Sequence, residues 1–183
     1  MICAKSKFFA AACSKRWVKG KEKQVRLPEV HPSVFQGYLS WVYSTSINIA
    51  ELTTYHIDLL PDPQGREVAK YFELYFLSDV LDDVRLRNEV LQTLVLDTHH
   101  FPCPQTITRV WAKTPAGSPA RRMLVDRAVL RSKRSSLAAK MTDYPESFVQ
   151  QVAIKLLKEV PTQNIEVFKA KIPSYLEPVE LED

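Results

Sequence analysis

The chain reads as an α+β protein that is predominantly α-helical, and three observations predict it. Apolar residues recur at intervals of three and four along much of its length, which gathers them on single helical faces. Prolines stand where helices would begin, as at Pro32 and Pro119, because the first helical position has no use for the missing N–H. One short stretch, Val25, Arg26 and Leu27, alternates apolar and polar residues as a half-buried strand does, and Pro28 removes the donor that further pairing would need. A chain of 183 residues, 45% hydrophobic and 25% charged, has ordinary globular composition and is long enough to bury a core.

In order along the chain, residues 4 to 14 (AKSKFFAAACS) are rich in alanine and gather Phe8, Phe9, Ala12 and Cys13 on one apolar side, with Ser6 as a candidate start cap. Both phenylalanines are expected in the core. A basic loop around Gly20 follows over 14 to 24, in which Trp17 is a packing residue or, if exposed, a contact. Residues 25 to 43 carry the strongest local signal, and the chain is expected to be organised around them: strand, turn, then a helix from Pro32 with Val34, Phe35, Tyr38, Leu39, Trp41 and Val42 at helical spacing. Residues 44 to 65 read as a connector with weak local structure, closed by the turn signal Pro61-Asp62-Pro63-Gln64-Gly65.

From Arg66 to about Asp97 the apolar period is helical again, and its length predicts two helices broken near Asp82-Asp83. A proline-rich linker over 98 to 119 carries a short helix from about Gln105 to Lys113. Pro119 opens a helix through Arg131, with Met123, Leu124 and Ala128 facing inward. A last helix, about Pro145 to Val160, is expected to bury Phe148, Val149, Val152, Ala153, Leu156 and Leu157, and residues beyond Pro161 read as a loosely held tail.

Little in the sequence carries chemistry. Gly20, Gly37, Gly65 and Gly117 are too widely spaced for a phosphate cradle. His99, His100 and Cys103 offer at most three ligands from a proline-constrained loop, fewer than structural zinc takes, and His31 and His56 lie far off in sequence. Cys3, Cys13 and Cys103 form no CxxC pair and carry no activating signature, which suits a reducing compartment, cytoplasm or nucleus. Arg121-Arg122 would suit a phosphate or carboxylate, yet adjacent arginines on a helix point apart. Asp62 and Asp82-Asp83 are explained by a turn and a helix boundary. The expected catalytic residues, cofactor-binding residues, metal ligands and cofactors are therefore none, and no particular residue is singled out as a partner contact. No apolar run reaches the ~20 residues of a membrane span, so no membrane partner is expected. The net charge of +4 is concentrated in an early basic region, Lys5 to Arg26, and a late one, Arg121 to Lys140. Solvated surface accounts for both, with nucleic acid or chromatin as the alternative partner.

Four blocks of the chain carry a resemblance. Cys3, Ser6, Phe8, Phe9, Ala11, Ala12 and Cys13 fit "C-x-x-S-x-F-F-x-A-A-C". Val25 to Glu29, then Pro32, Phe35, Tyr38, Leu39, Trp41, Tyr43, Thr45 and Ile47 fit a "V-R-L-P-E" strand and the helix after it, with Ser44 inserted. Tyr71, Leu74, Tyr75, Leu77, Asp79, Leu81, Asp82, Asp83, Arg87 and Asn88 fit the third block. Val110, Trp111, Thr114, Pro115, Gly117, Ser118, Pro119, Arg121, Arg122, Leu124, Val125 and Asp126 fit the fourth. In this order the blocks resemble BTB/POZ domain proteins of the fungal type, from Cys3 to about Asp126. The resemblance implies a non-catalytic interaction module, a cluster of helices flanked by a small sheet, that pairs with itself or docks on a cullin scaffold as a ubiquitin-ligase substrate adaptor.

The expected architecture is then a BTB/POZ-like helical cluster over 1 to 98 with a reduced small sheet, a C-terminal helical extension over 99 to 160, and a tail over 161 to 183. The resemblance departs at the start: the family has a two-stranded hairpin and a "V-H-K" segment before the position of Cys3, and here Met1-Ile2 precede it. This predicts an N-terminally truncated form with exposed strand edge and apolar surface, or a second chain supplying the missing strands.

Overall fold

The computed structural model describes residues 6–12, 14, 25–60, 63–96, 101–131 and 141–159. Helices dominate: α1 (Lys7–Ala12), α2 (Pro32–Ser44), α3 (Tyr55–Asp58), α4 (Pro63–Val80), α5 (Val84–Leu96), α6 (Pro104–Lys113), α7 (Pro119–Arg131) and α8 (Glu146–Glu159), with a 3-10 turn at Met141–Asp143. No strand forms among the described residues. Val25 to Leu27, expected as a strand, is irregular chain leading into a turn whose Val30 N–H bonds Leu27 O at 3.1 Å. The physical reason is that an alternating tripeptide becomes a strand only on a partner ladder, and no described segment offers one. The small sheet is thus absent from the described residues.

Pro32 does open α2. His31 precedes it in extended backbone, and its Nδ1 accepts the Ser33 N–H at 3.3 Å. The helix stops at Thr45, whose left-handed backbone (φ 59°) turns its N–H onto Trp41 O at 2.8 Å. Its inward face is Val34, Gly37, Tyr38, Trp41 and Val42. Gly37 faces α4 closely: a Cβ there would lie 3.3 Å from Leu74 Cδ2 and 3.4 Å from Leu52 Cδ1, so the missing side chain sets how near α2 comes. Tyr38 is fully buried beside the rings of Phe9, Phe35 and Trp41, with centroids 6.1 to 6.4 Å away. Its hydroxyl donates to Asp83 Oδ2 at 3.3 Å.

The sequence points to residues 25 to 43 as the organising stretch; the structure gives that place to α4. It packs against α2, α3, α5 and α6, and buried side chains occur around most of its girth, among them Val68, Phe72, Leu74, Tyr75 and Leu77. Its end coincides with the expected break. Asp82 takes a left-handed backbone (φ 48°), the Asp83 N–H returns to Ser78 O at 2.7 Å, and Asp83 Oδ1 accepts the Leu86 N–H at 3.1 Å, capping α5. The connector before α4 holds one unexpected turn of helix, α3, which Thr54 starts by accepting the Ile57 N–H at 3.3 Å.

The C-terminal helices close the other side. The core is continuous from Phe9 to Val152, so the segments before and after residue 98 share it. Arg121 joins α6 to α7: Nε donates to Thr114 Oγ1 at 3.1 Å, Nη2 donates to the Trp111 and Thr114 carbonyls, and the guanidinium lies 5.1 Å from the Trp111 ring centroid. Arg127, almost fully buried, donates from Nη1 to Leu94 O at the end of α5. On α8, Phe148 and Val152 are buried, with Phe148 edge-on to Trp111 at 5.2 Å. Val149, Ala153 and Leu156 are only half-buried, and Leu157, expected in the core, is 75% exposed because α8 rests mainly on α7 and buries one narrow stripe. No helix among the described residues is long and apolar enough to cross a membrane.

Candidate interaction groove

A groove lies along α4 and α6. On α4 it is walled by Ala69, Phe72, Glu73, Phe76, Leu77 and Val80, a stripe at intervals of three and four that the helix presents as one face. On α6 the matching stripe is Gln105, Thr108, Arg109, Ala112 and Lys113. Two hollows make up the groove. The larger, about 670 Å³, is completed by His56, Ile57, Leu59 and Leu60 from α3 and its exit and by Asp143. The smaller, about 190 Å³, is completed by Glu29, Val30, His31 and Val34 from the turn that enters α2. Glu73, Phe76, Arg109 and Lys113 line both, so they mark the junction. From Ala69 to Val80 the stripe rises about 16 Å at the helical pitch, roughly three turns.

Each wall has a local cause. The α3 side is fixed by Ser33, whose Oγ donates to Thr53 O and accepts the Thr53 N–H at 3.1 Å, tying the connector to the start of α2. Arg66 Nε donates to Leu60 O at 2.7 Å and holds the exit of α3 onto α4. Pro104 sets the start of α6, and Arg121 fixes its end. Across the junction, Arg109 grips Glu73 with a fork: Nε meets Oε1, Nη2 meets Oε2 at 3.0 Å, and the guanidinium carbon lies 5.7 Å from the Phe76 ring centroid. Glu73 is 8% exposed, a buried carboxylate whose charge is met by a planar partner. At the edge, Lys113 Nζ reaches Glu29 Oε2 at 3.3 Å in a solvated pair. Apolar side chains make up much of the remaining surface, with His56, Gln105, Thr108 and Asp143 in the larger hollow and His31 and Asp79 in the smaller, and Leu59 and Val80 stay largely exposed at its two ends.

The residues weighed in the sequence fall mostly elsewhere. Phe9 is buried and Phe8 packs edge-on against it at 5.0 Å. Cys103 precedes α6 with Sγ 3.2 Å from Thr106 Oγ1, while His99 and His100 lie outside the described residues, as do Cys3, Cys13, Trp17, Asp62 and the tail over 161 to 183. No group of three or more metal-ligating side chains occurs among the described residues. His31 and His56 line different hollows. Arg121 is spent on backbone carbonyls and Arg122 stands exposed on the neighbouring position, so the pair forms no joint clamp. Asp82-Asp83 is the helix break. Near the larger hollow, burial first, then Cys103 and Asp143, push the Tyr144 phenol above its ordinary value.

Sequence reasoning passes over Glu73, Arg109 and Lys113. The available signals are a lone carboxylate between Phe72 and Leu74 in an otherwise apolar helical stretch, and two cations one turn apart on α6. Comparisons with protein-family models, with curated proteins and with solved structures return no match.

Proposed function

We propose that the chain is a non-catalytic protein-interaction module and that the α4–α6 groove receives a helical segment of its partner. The observation that carries this reading is the groove itself: about three turns long, walled by two helices and largely apolar, the form that accepts an amphipathic helix. The BTB/POZ resemblance supports the same class, and its specific form is adaptor work on a cullin scaffold. The nucleic-acid alternative draws less support, because Arg121 and Arg127 of the late basic region are engaged with carbonyls inside the fold.

Ala112 is exposed on the α6 wall, so Ala112→Trp fills the groove without touching the core. Affinity capture from cell extract with nuclease present, using the tagged full chain and this variant side by side, tests the reading. Proteins held by the parent chain and lost from the variant, at unchanged melting temperature, are expected. Identical capture by both would refute the groove, and a cullin among the lost proteins would establish the adaptor form.

A further inference from the structure

We propose that the docking segment carries a carboxylate between two sets of apolar anchors, and that Arg109 and Lys113 receive it. The inference rests on the groove reading and adds the chemistry of the partner. Arg109 is held by Glu73 through Nε and Nη2 only; Nη1 has no hydrogen-bond partner among the described residues. A guanidinium locked on one edge and laid over an aromatic ring presents its remaining N–H groups in a fixed direction, which suits an oxygen acceptor. Lys113 lies four residues on and therefore on the same face of α6. Its bond to Glu29 joins side chains that are 43% and 83% exposed, an attachment that an incoming carboxylate can replace.

Position decides the register. Both cations line both hollows, so the carboxylate sits at the junction, with apolar anchors toward Ile57, Leu60 and Phe72 on one side and toward Val30, Val34 and Leu77 on the other. Glu73 neutralises Arg109 while orienting it, so the carboxylate takes the place of Glu29 on Lys113 and adds a bond to the free edge of Arg109. Asp143 lines the larger hollow alone and disfavours a carboxylate there; Asp79 lines the smaller one and is paired with Arg87. On a helix, an acid at position i with apolar residues at i−4, i−3, i+3 and i+4 puts all five on one face.

The test uses fluorescein-labelled, alanine-based helical peptides about four turns long, with leucine at those four positions and Glu, Gln or Lys at the centre. They are titrated with the full chain and followed by fluorescence anisotropy. The Glu peptide should bind about tenfold more tightly than the Gln peptide, as expected for a charge-assisted bond, and the Lys peptide should bind weakest. Lys113→Gln should remove most of the Glu preference, and Ala112→Trp should weaken all three. Equal binding of Glu and Gln peptides, with Ala112→Trp still weakening both, overturns the carboxylate inference and leaves the groove standing. If no peptide binds, or Ala112→Trp alters none of the affinities, the groove reading falls and the inference with it. Both variants change exposed positions, and unchanged far-UV circular dichroism with an unchanged melting temperature verifies that they fold.

Discussion

The layer built on α2 and α4 and the layer built on α6, α7 and α8 bury similar apolar side chains but close their helix ends differently. Around Tyr38 the ends are closed by short groups: His31 and Thr54 at helix starts, and Asp83 at the α4–α5 corner. Around Trp111 Ser118 Oγ still caps the start of α7, but the C-terminal ends are closed by arginines, Arg121 on the last carbonyls of α6 and Arg127 on Leu94 at the end of α5. A cation at a helix C-terminus meets the negative end of the dipole and satisfies carbonyls that the helix leaves unpaired. Damage in the first layer should therefore scale with the volume removed, and damage in the second with the donors removed.

Phe72→Ala tests the volume side most strongly. The ring is 1% exposed, and its loss should cost about 3–5 kcal/mol, read as a lower denaturant midpoint at unchanged slope. Arg121→Met keeps the stem and deletes the donors; about 2–3 kcal/mol should be lost, with little response to added salt, because buried carbonyls are left unpaired. Arg121→Lys should recover less than half of that, since an ammonium cannot reproduce the fork. Full recovery by lysine would reduce the second layer to simple charge attraction.

Tyr38 sharpens the contrast through pH. Burial, chiefly, raises its phenol above 10, the nearby Asp83 adding to this and Ser6 opposing it. Below pH 10 both folded and unfolded phenols hold their proton and the group adds no pH dependence to stability. Above it the unfolded chain ionises first, so stability falls as pH rises toward the folded value. Tyr38→Phe should flatten that alkaline loss in a titration of unfolding midpoints, while costing about 1 kcal/mol at neutral pH for the lost bond to Asp83. An unchanged alkaline slope would assign the loss to Tyr75 and Tyr144, whose phenols are also raised. The smallest effect belongs to Lys155→Ala. Its bond to Asp126 joins α8 to α7 at a solvated surface, and removal should change stability by less than about 0.5 kcal/mol and vanish in high salt.

What is legible in the sequence follows from range. Pro32, Pro119 and the Asp82-Asp83 break act within a few residues of themselves, and the helices they bound appear at Pro32–Ser44, Pro119–Arg131 and either side of Asp83. Val25 to Leu27 reads as a strand from its alternation, but a strand's stability belongs to its partner. One turn at Tyr55–Asp58 is too short to show a period. Adjacent arginines do point apart, as the sequence implies; which one turns inward depends on the carbonyls at the end of α6. The groove draws its walls from residues 29–34, 56–60, 69–80, 104–113 and 143, and nothing local announces that these meet.

Arg121 fixes one end of α6 and the Glu73–Arg109 fork fixes its middle, so the wall they steady has little room to roll. On the proposed reading, a partner would meet a groove whose backbone is already set, with only the exposed Lys113–Glu29 pair to exchange. Association should follow a single exponential whose rate rises linearly with partner concentration, in the ordinary range of about 10⁵–10⁷ M⁻¹s⁻¹, and substitutions in the groove should alter residence time far more than arrival.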